Sequence, residues 1–368
     1  NLLLGLGGVI TWNWTAMVKW LLPHRWYVNW IHALDLGLAS ILLALWLRRR
    51  GVSWLAAAVG WLTAFWIGSN FTLVYAGHNG KFGVLLFAAA ALCAIEQAVV
   101  TKRLAWGALA GAALGGMLLE QQDLGLFFGI FWAAYALYAV VREEGWKIKP
   151  LGERLVPMAF FAVWLAAGPS LRVYASAVKE AVPAGGEEPR AHWEFCTQWS
   201  VPPDETIDLV APGYTGWRSG EPEGPYWGRT GRSAGWERSG QGFMNFRLES
   251  IYIGAVPIVL ALFAVAWAVR ARRNSGDRKP QGDDGCGSPL RGDILFWAGA
   301  ALITLLLAFG KYFPLYAVFY RLPVIHDIRN PNKMLQVFQV AVGILAAYGV
   351  QVCLEAGSCR ESEQRAHG

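Results

Sequence analysis

The sequence predicts an all-α polytopic membrane protein, and three observations lead to that prediction. Hydrophobic residues make up 55% of the 368 residues, the mean hydropathy is +0.33, and only 16% of the residues are charged. Apolar stretches of about 16–20 residues, each long enough to cross a bilayer as a helix, follow one another along the chain. The links between them alternate between basic segments and segments that carry other polar groups. Such a composition excludes an ordinary soluble domain.

About nine stretches of the sequence meet the length criterion for a membrane-spanning helix. Residues 1–28 precede them and are apolar but interrupted by glycines, Asn13 and Pro23. This pattern predicts a re-entrant or interfacial segment. The stretch 104–119 is short and rich in glycine, which favours close packing between helices. We expect the spans at 29–47, 53–70, 83–100, 104–119, 124–141, 152–174, 251–269, 293–312 and 334–352.

The charges in the links predict the topology. Four links are basic, and the positive-inside rule places them in the cytoplasm. The net charge of +6 is therefore a signal of topology. A nucleic-acid-binding protein would gather its charge on one soluble face, so we expect no nucleic-acid partner. The basic links are Arg48–Arg50, Lys102–Arg103, Arg142–Lys149 and Arg270–Lys279.

We predict three parts along the chain. Residues 1–174 form an N-terminal transmembrane bundle, and residues 251–368 form C-terminal transmembrane helices with a cytoplasmic loop at 270–292. Between them, residues 175–250 form an irregular extracytoplasmic loop region, whose many Trp and Tyr residues argue against a plain linker. Residues 311–333 carry apolar side chains near helical spacing, which predicts a helix lying at the outer interface.

The remaining polar motifs gather at the extracytoplasmic ends of the spans, where costly polar groups usually mark a site. His78 and Lys81 flank an Asn-Gly pair at one such junction. They suit a lipid phosphate, because Lys supplies a point charge and His supplies a hydrogen-bond donor. The alternative is a plain helix cap with a Lys that reaches to the membrane surface. The residues alone leave both interpretations open.

Four consecutive polar side chains, Glu120, Gln121, Gln122 and Asp123, separate two spans with almost no linker. They cannot all face lipid, because each would lose its hydration there. A partly buried carboxylate at this place is suited to act as a general base. Asp123 and Glu120 are therefore the catalytic candidates, and Gln122 is a candidate substrate contact. An exposed loop at the level of the lipid headgroups is the equal alternative.

A third cluster precedes the last span and comprises Asp327, Arg329, Asn330, Asn332 and Lys333. Arg suits bidentate recognition of a phosphate, and Asn and Asp suit sugar hydroxyls. The residues predicted to bind substrate are Asp327, Arg329, Asn330 and Lys333. The alternative is anchoring at the membrane interface.

His32 and Asp35 share one face of an apolar span. They form either a hydrated pair near its outer end or a polar feature inside the bundle. No P-loop, Rossmann glycine fingerprint or metalloprotease motif occurs in a usable context, so ATP-driven transport has no support in the sequence.

The order and spacing of these motifs resemble the YfhO-like bacterial membrane proteins, which belong to the C-type (GT-C) glycosyltransferase superfamily. The resemblance covers nearly the whole chain. The sequence departs from the family pattern at Glu120-Gln121, where a Gly-His pair is usual, and at Asn330 and Asn332. The stretches that carry the resemblance are Asn1–Gly8, Ala76–Lys81, Glu120–Phe128, Trp199–Asp204, Leu209–Gly213, Ile251–Gly254 and Leu322–Lys333.

The resemblance implies a GT-C-like helical bundle in a bacterial inner or plasma membrane. Such a protein moves a sugar from a polyprenyl-phosphate donor to an extracytoplasmic glycan or protein acceptor. The resemblance assigns His78, Lys81, Arg329 and Lys333 to the lipid phosphate of the donor. Basic side chains at that place would stabilise the charge of a phosphate leaving group.

Gln122 and Asp123 are assigned by the same resemblance to the sugar or the acceptor. The usual catalytic acid of the family lies in the first outer loop, which would precede Asn1, so we expect this chain to be an internal piece of a longer protein. No cofactor is implied, and a divalent metal enters only if that loop supplies carboxylates. Two other hypotheses remain: a non-catalytic membrane scaffold and a transporter of lipid-linked substrates.

Overall fold

The fold is helical throughout the part of the chain that this computed structural model describes. All regular elements in that part are α-helices or short 3-10 turns, as the sequence predicts. The described residues are 13–75, 77–180, 189–216, 226–231, 250–274, 290–322 and 325–367.

Thirteen α-helices are numbered here in chain order, from α1 to α13. Several are much longer than an average soluble helix, which fits their apolar composition. Their bounds are α1 Trp14–Leu21, α2 His24–Arg49, α3 Trp54–Phe65, α4 Gly68–Tyr75, α5 Asn79–Thr101, α6 Leu104–Glu120, α7 Gln122–Glu144, α8 Ile148–Glu180, α9 Pro189–Cys196, α10 Ala255–Asn274, α11 Leu290–Ala308, α12 Pro314–Tyr320 and α13 Met334–His367.

Six of these helices are long and apolar enough to cross a membrane, namely α2, α5, α7, α8, α11 and α13. The bent pair α3 and α4 makes a seventh candidate, and α6 and α10 are shorter apolar helices. A helix therefore occurs at every predicted span. The prediction of a multi-pass helical membrane protein is confirmed at this level.

The predicted single span at 53–70 is wrong in one respect, because the chain breaks there into α3 and α4, which are bent by 42°. Groups inside the fold satisfy the carbonyls that the break releases. The Asn70 side-chain amide donates to the Phe65 carbonyl at 2.8 Å, and the Gln339 amide of α13 donates to the Ala64 carbonyl at 2.6 Å. Irregular backbone at membrane depth is tolerated where protein groups pair with it in this way.

Two boundaries also differ from the expected ones. Helix α2 begins at His24, directly after Pro23, and not near residue 29, since a proline is well tolerated just before a helix starts. The predicted interfacial helix in 311–333 is much shorter than expected: α12 covers only seven residues and is followed by turns. Residues 1–12 of the predicted N-terminal segment lie outside the described part of the chain.

The chain divides into two compact units. Unit 1 comprises Asn1–Trp46 and Leu73–Cys196, and unit 2 comprises Leu47–Thr72 and Thr197–Gly368. The helices α1, most of α2, and α5 to α9 therefore belong to unit 1. Unit 2 contains α3, α10 to α13 and the described loop segments after Cys196.

In unit 1, glycines allow α6 to pack closely on both sides. A Cβ at Gly115 would lie 2.9 Å from Cβ of Leu165 on α8, and a Cβ at Gly116 would lie 2.8 Å from the Phe87 ring on α5. Nothing larger than hydrogen fits at these contacts, so the prediction that small residues in 104–119 serve close packing is confirmed.

In unit 2, α13 is the central helix and packs against α3, α10 and α11. Its start is buried on almost all sides, and Gly343 lies against α3, where an added Cβ would come within 2.7 Å of the Gly60 carbonyl oxygen. The interior of unit 2 is therefore organised around α13.

Carboxylates at the basic ends of the helices are held in buried ion pairs. In unit 1, Arg142 donates to Glu96 at 2.8 Å, and the Tyr135 hydroxyl donates to Glu96 at 2.9 Å. In unit 2, Arg50 contacts the fully buried Asp293 at 2.7 Å, and the Tyr348 hydroxyl donates to the same oxygen at 3.1 Å. A charge that is buried with its partner and with further hydrogen bonds fixes helix positions.

Replacement of Arg50 by Met should lower the free energy of unfolding by about 3 kcal/mol, because it removes the charged partner of the buried Asp293. Denaturation in mixed micelles measures this change. The control is Arg49→Met, since Arg49 is exposed and its replacement should change the free energy of unfolding by less than about 0.5 kcal/mol. Equal effects of the two variants would contradict a structural role for the ion pair.

Candidate functional site

The carboxylate of Glu120, the last residue of α6, is buried against the start of α1. Its Oε1 accepts a hydrogen bond from the Thr15 backbone N–H at 3.1 Å, and its Oε2 accepts one from the Thr15 hydroxyl at 2.5 Å. The first N–H groups of a helix have no partner within the helix, and a negative charge is favourable at that end. Glu120 therefore fixes α1 onto the end of α6. Asn13 adds to this contact by donating from its side chain to the Leu119 carbonyl at 3.4 Å.

A second carboxylate, Asp35 of α2, lies close to Glu120. Asp35 is 0% exposed, and its Oδ1 accepts a hydrogen bond from the Trp14 indole N–H at 2.8 Å. Glu120 and Asp35 thus accept hydrogen bonds from the neighbouring residues Thr15 and Trp14 at the start of α1. Among the described residues, no group is hydrogen-bonded to Oδ2 of Asp35. A buried oxygen of this kind can accept a hydrogen bond or a proton from a ligand, which would lower the cost of its burial.

His32 lies one turn before Asp35 and links α2 to α5. Its Nε2 is hydrogen-bonded to Oδ1 of Asn79 at 2.7 Å, and its ring packs edge-on against Phe82 with the ring centroids 4.7 Å apart. Both His32 and Asp35 are thus buried in contacts with other helices. Of the two interpretations left open by the sequence, the structure supports a polar feature inside the bundle.

An apolar cavity of about 470 Å³ ends at Glu120. It follows α6 from Trp106 to Glu120, a length of about 21 Å at 1.5 Å per helical residue. Small side chains of α5 and α6 make room for it. Its walls include Leu42, Phe87, Ala90, Ala94, Leu109, Ala112, Ala113 and Leu165, and Trp14 lies at the same end as Glu120. A narrow apolar space of this length suits a hydrocarbon chain.

The structure brings two of the predicted motifs together at this end of unit 1. A Cβ at Gly80 would lie 2.6 Å from the Glu120 carbonyl oxygen, so the first turn of α5 is packed against the end of α6. His78 directly precedes α5 but makes no side-chain cap, and Lys81 is only 6% exposed. The assignment of His78 and Lys81 to a lipid phosphate stays a prediction.

The side chains of the Glu120–Asp123 motif differ in their environments. Glu120 is buried, whereas Gln122 and Asp123 are partly exposed in the first turn of α7. Oδ1 of Asp123 accepts a hydrogen bond from the Leu124 backbone N–H at 2.7 Å. Of the two catalytic candidates, Glu120 is therefore the one that combines burial, fixed geometry and contact with the cavity.

The third predicted cluster lies in unit 2, just before α13. Asn330 adopts a left-handed backbone conformation with φ 73°, which Asn tolerates better than most residues. Arg329 is exposed, Lys333 is partly exposed, and Asp327 ends a 3-10 turn, although its side chain lies outside the described part. Arg329, Asn330 and Lys333 belong to unit 2, and His78, Lys81 and Glu120 belong to unit 1.

Sequence reasoning missed a second polar centre, which surrounds Glu205 in unit 2. Oε2 of Glu205 accepts hydrogen bonds from the Tyr226 and Thr230 hydroxyls, each at 2.8 Å. Burial and the nearby Glu205 carboxylate raise the pKa of the Tyr226 phenol far above its usual value, so Tyr226 remains a hydrogen-bond donor. Tyr226 and Thr230 lie more than twenty residues after Glu205 in the sequence, so no local motif indicates that they meet.

Comparisons with protein-family models, with curated proteins and with solved structures found no match to this chain. Within the described residues, no group of three or more His, Cys, Asp or Glu side chains is arranged to hold a metal ion. The two centres that remain are the Glu120 cavity in unit 1 and the Glu205 centre in unit 2.

Replacement of Gly83 by Ala should displace the Glu120 carboxylate, because the added Cβ would lie 2.6 Å from its Oε2. The expected loss in the free energy of unfolding is about 1–3 kcal/mol, as for other overpacked positions. Gly129→Ala is the matched control, since nothing lies within 4 Å of a Cβ at that helical glycine. Thermal unfolding in detergent measures both variants, and a neutral Gly83→Ala would argue against the close contact.

Proposed function

We propose that this protein is an integral membrane glycosyltransferase that takes a sugar from a polyprenyl-phosphate donor. One observation carries the proposal: an apolar cavity of about 470 Å³ follows the apolar helix α6 and reaches a buried carboxylate at the end of that helix. A lipid-linked substrate has a long apolar chain and a polar reacting end, which match the apolar cavity and the carboxylate respectively. The resemblance of the sequence motifs to the YfhO-like proteins adds support.

The cavity supplies the contacts that a polyprenyl chain requires. Its walls are mainly aliphatic and aromatic side chains, and the many dispersion contacts that such walls make with isoprene units are collectively large. The chain would run along α6 beside Ala112 and Ala113. Its phosphate and sugar would then lie near Glu120 and the first turn of α5, where Lys81 is the cation on that turn.

The proposed chemistry is displacement at the anomeric carbon of the donor. An acceptor hydroxyl oxygen forms the new bond to that carbon while the bond from the carbon to the phosphate oxygen breaks. The phosphate leaves with the bonding electron pair, and a carboxylate accepts the proton of the acceptor hydroxyl. Glu120 is the candidate for this role, and the open oxygen of Asp35 is available for a second hydrogen bond. Lys81 and His78 would offset the charge that develops on the phosphate.

Glu120→Gln should lower the rate of sugar transfer at least about 100-fold, because amides do not accept protons and general bases contribute about 10²–10⁴-fold. The full-length gene product is assayed in vesicles of native membranes with polyprenyl-phosphate-linked glucose, galactose and mannose, each radiolabelled. Glu143→Gln is the matched control, since Glu143 is exposed at the other end of α7. Turnover of none of the three donors, or equal rates in both variants, would overturn the proposal.

Ala112→Leu should raise the KM for a long-chain donor and leave kcat unchanged. The larger side chain fills space along the cavity, so it weakens the binding of the lipid chain equally in the ground state and in the transition state. A donor with only two isoprene units serves as the internal comparison and should keep its KM. Ala133→Leu, an exposed position on α7, is the control variant. Movement of the intact donor across the membrane without sugar transfer would identify a transporter that uses the same cavity.

A further inference from the structure

The described loop segments of unit 2 after Cys196 are held by hydrogen bonds to one another and to other parts of unit 2. The Val201 backbone N–H donates to the Ala308 carbonyl at the end of α11 at 2.9 Å, and the Asn332 N–H donates to the Trp199 carbonyl at 3.1 Å. The Gly231 N–H donates to the Gln198 backbone carbonyl at 3.3 Å. The Gln198 side-chain amide donates in return to the Gly231 carbonyl at 3.1 Å. Backbone contacts with two other parts of unit 2 therefore hold the loop in place.

A buried carboxylate organises this loop. Glu205 is only 4% exposed and accepts hydrogen bonds from the Tyr226 and Thr230 hydroxyls and from the Arg229 backbone N–H. The Arg229 guanidinium pairs with Asp204 and lies over the Tyr312 ring, 5.3 Å from its centroid. The three charge-assisted hydrogen bonds that Glu205 accepts offset the cost of burying its carboxylate.

A cavity of about 90 Å³ opens beside Glu205. Its volume corresponds to about three water molecules at roughly 30 Å³ each. Asp208 also lines it and accepts hydrogen bonds from the Thr215 backbone N–H, at 3.2 Å, and from the Thr215 hydroxyl. Each carboxylate oxygen has two lone pairs, so Glu205 and Asp208 both retain the capacity to accept further hydrogen bonds.

The chemistry of the walls selects the kind of ligand. The described residues that line the cavity include two carboxylates but no Lys, Arg or His, which disfavours a phosphate. Two Thr hydroxyls and Asn332 add hydrogen-bonding groups. The Trp199 ring is fixed by contact with Gly231, where an added Cβ would lie 2.6 Å away. Carboxylates beside an aromatic ring suit a neutral ligand that carries several hydroxyl donors.

We propose that the Glu205–Asp208 cavity binds the hydroxyl edge of a saccharide, with Asp208 as the main acceptor and Trp199 as the apolar wall. The cavity is large enough for one edge of a sugar ring, whose hydroxyls replace the enclosed water molecules. The further identification of this saccharide as the acceptor rests on the proposed glycosyltransferase function. Binding itself does not depend on that function and is measured without transfer.

The test is saturation-transfer NMR on the purified full-length protein with glucose, galactose, mannose and N-acetylglucosamine. At least one sugar should bind, and Asp208→Asn should weaken its binding about tenfold, because a hydrogen bond to a charged acceptor becomes one to a neutral acceptor. Glu194→Gln, at an exposed site on α9, should leave the affinity unchanged. Binding of none of the four sugars, or equal affinities in both variants, would overturn the proposal.

Two further measurements make the result decisive. If Asp208→Asn does not fold, carbodiimide labelling of the wild-type protein replaces it: the bound sugar should protect Asp208 from modification, and undiminished labelling at saturating sugar would contradict the proposal.

Putrescine is the competing probe, and displacement of every sugar signal by this diamine would identify an amine site instead. Sugar binding without transfer would overturn only the glycosyltransferase proposal, whereas transfer without binding would overturn only the saccharide site.

Discussion

The burial of Glu120 against the start of α1 is the contact on which the candidate site of unit 1 depends. Its carboxylate binds the Thr15 N–H and hydroxyl, and Gly83 leaves the space that the side chain occupies. This contact places Trp14 beside Asp35 and closes one end of the apolar cavity. A buried charge is costly unless its hydrogen bonds persist. The need to keep the hydrogen bonds of Glu120 therefore holds α1, α5 and α6 together.

Among the described residues, the buried carboxylates of the α-helices fall into two kinds. Glu96 and Asp293 are held by Arg side chains and Tyr hydroxyls, an arrangement that fixes helices and leaves little capacity for chemistry. Glu120 is held instead by the hydroxyl and backbone N–H of Thr15 at the end of an apolar cavity, and Asp35 keeps an oxygen without a hydrogen-bond partner among the described residues. The nature of the partner thus distinguishes structural carboxylates from candidate functional ones.

Sequence patterns predicted the helices and the packing of α6 well, because both depend on local composition. Apolar length places a helix at each span, and Gly115 and Gly116 sit where helices touch. The break between α3 and α4 escaped prediction, since its carbonyls are satisfied by Asn70 and by Gln339, a residue far along the chain. The assignment of His78, Lys81, Gln122, Asp123, Asp327, Arg329, Asn330 and Lys333 to substrate stays a prediction.

The sequence by itself determined that this is a multi-pass helical membrane protein and that Glu120 is a residue of interest. Hydrophobic length and isolated polar clusters are read directly from the chain, because the membrane penalises polar groups wherever they occur. Only the tertiary structure decided that Glu120 closes an apolar cavity, that Asp35 lies beside it, and that Glu205 organises a loop. These features join residues far apart in sequence, and the free energy of such contacts depends on packing that no local pattern encodes.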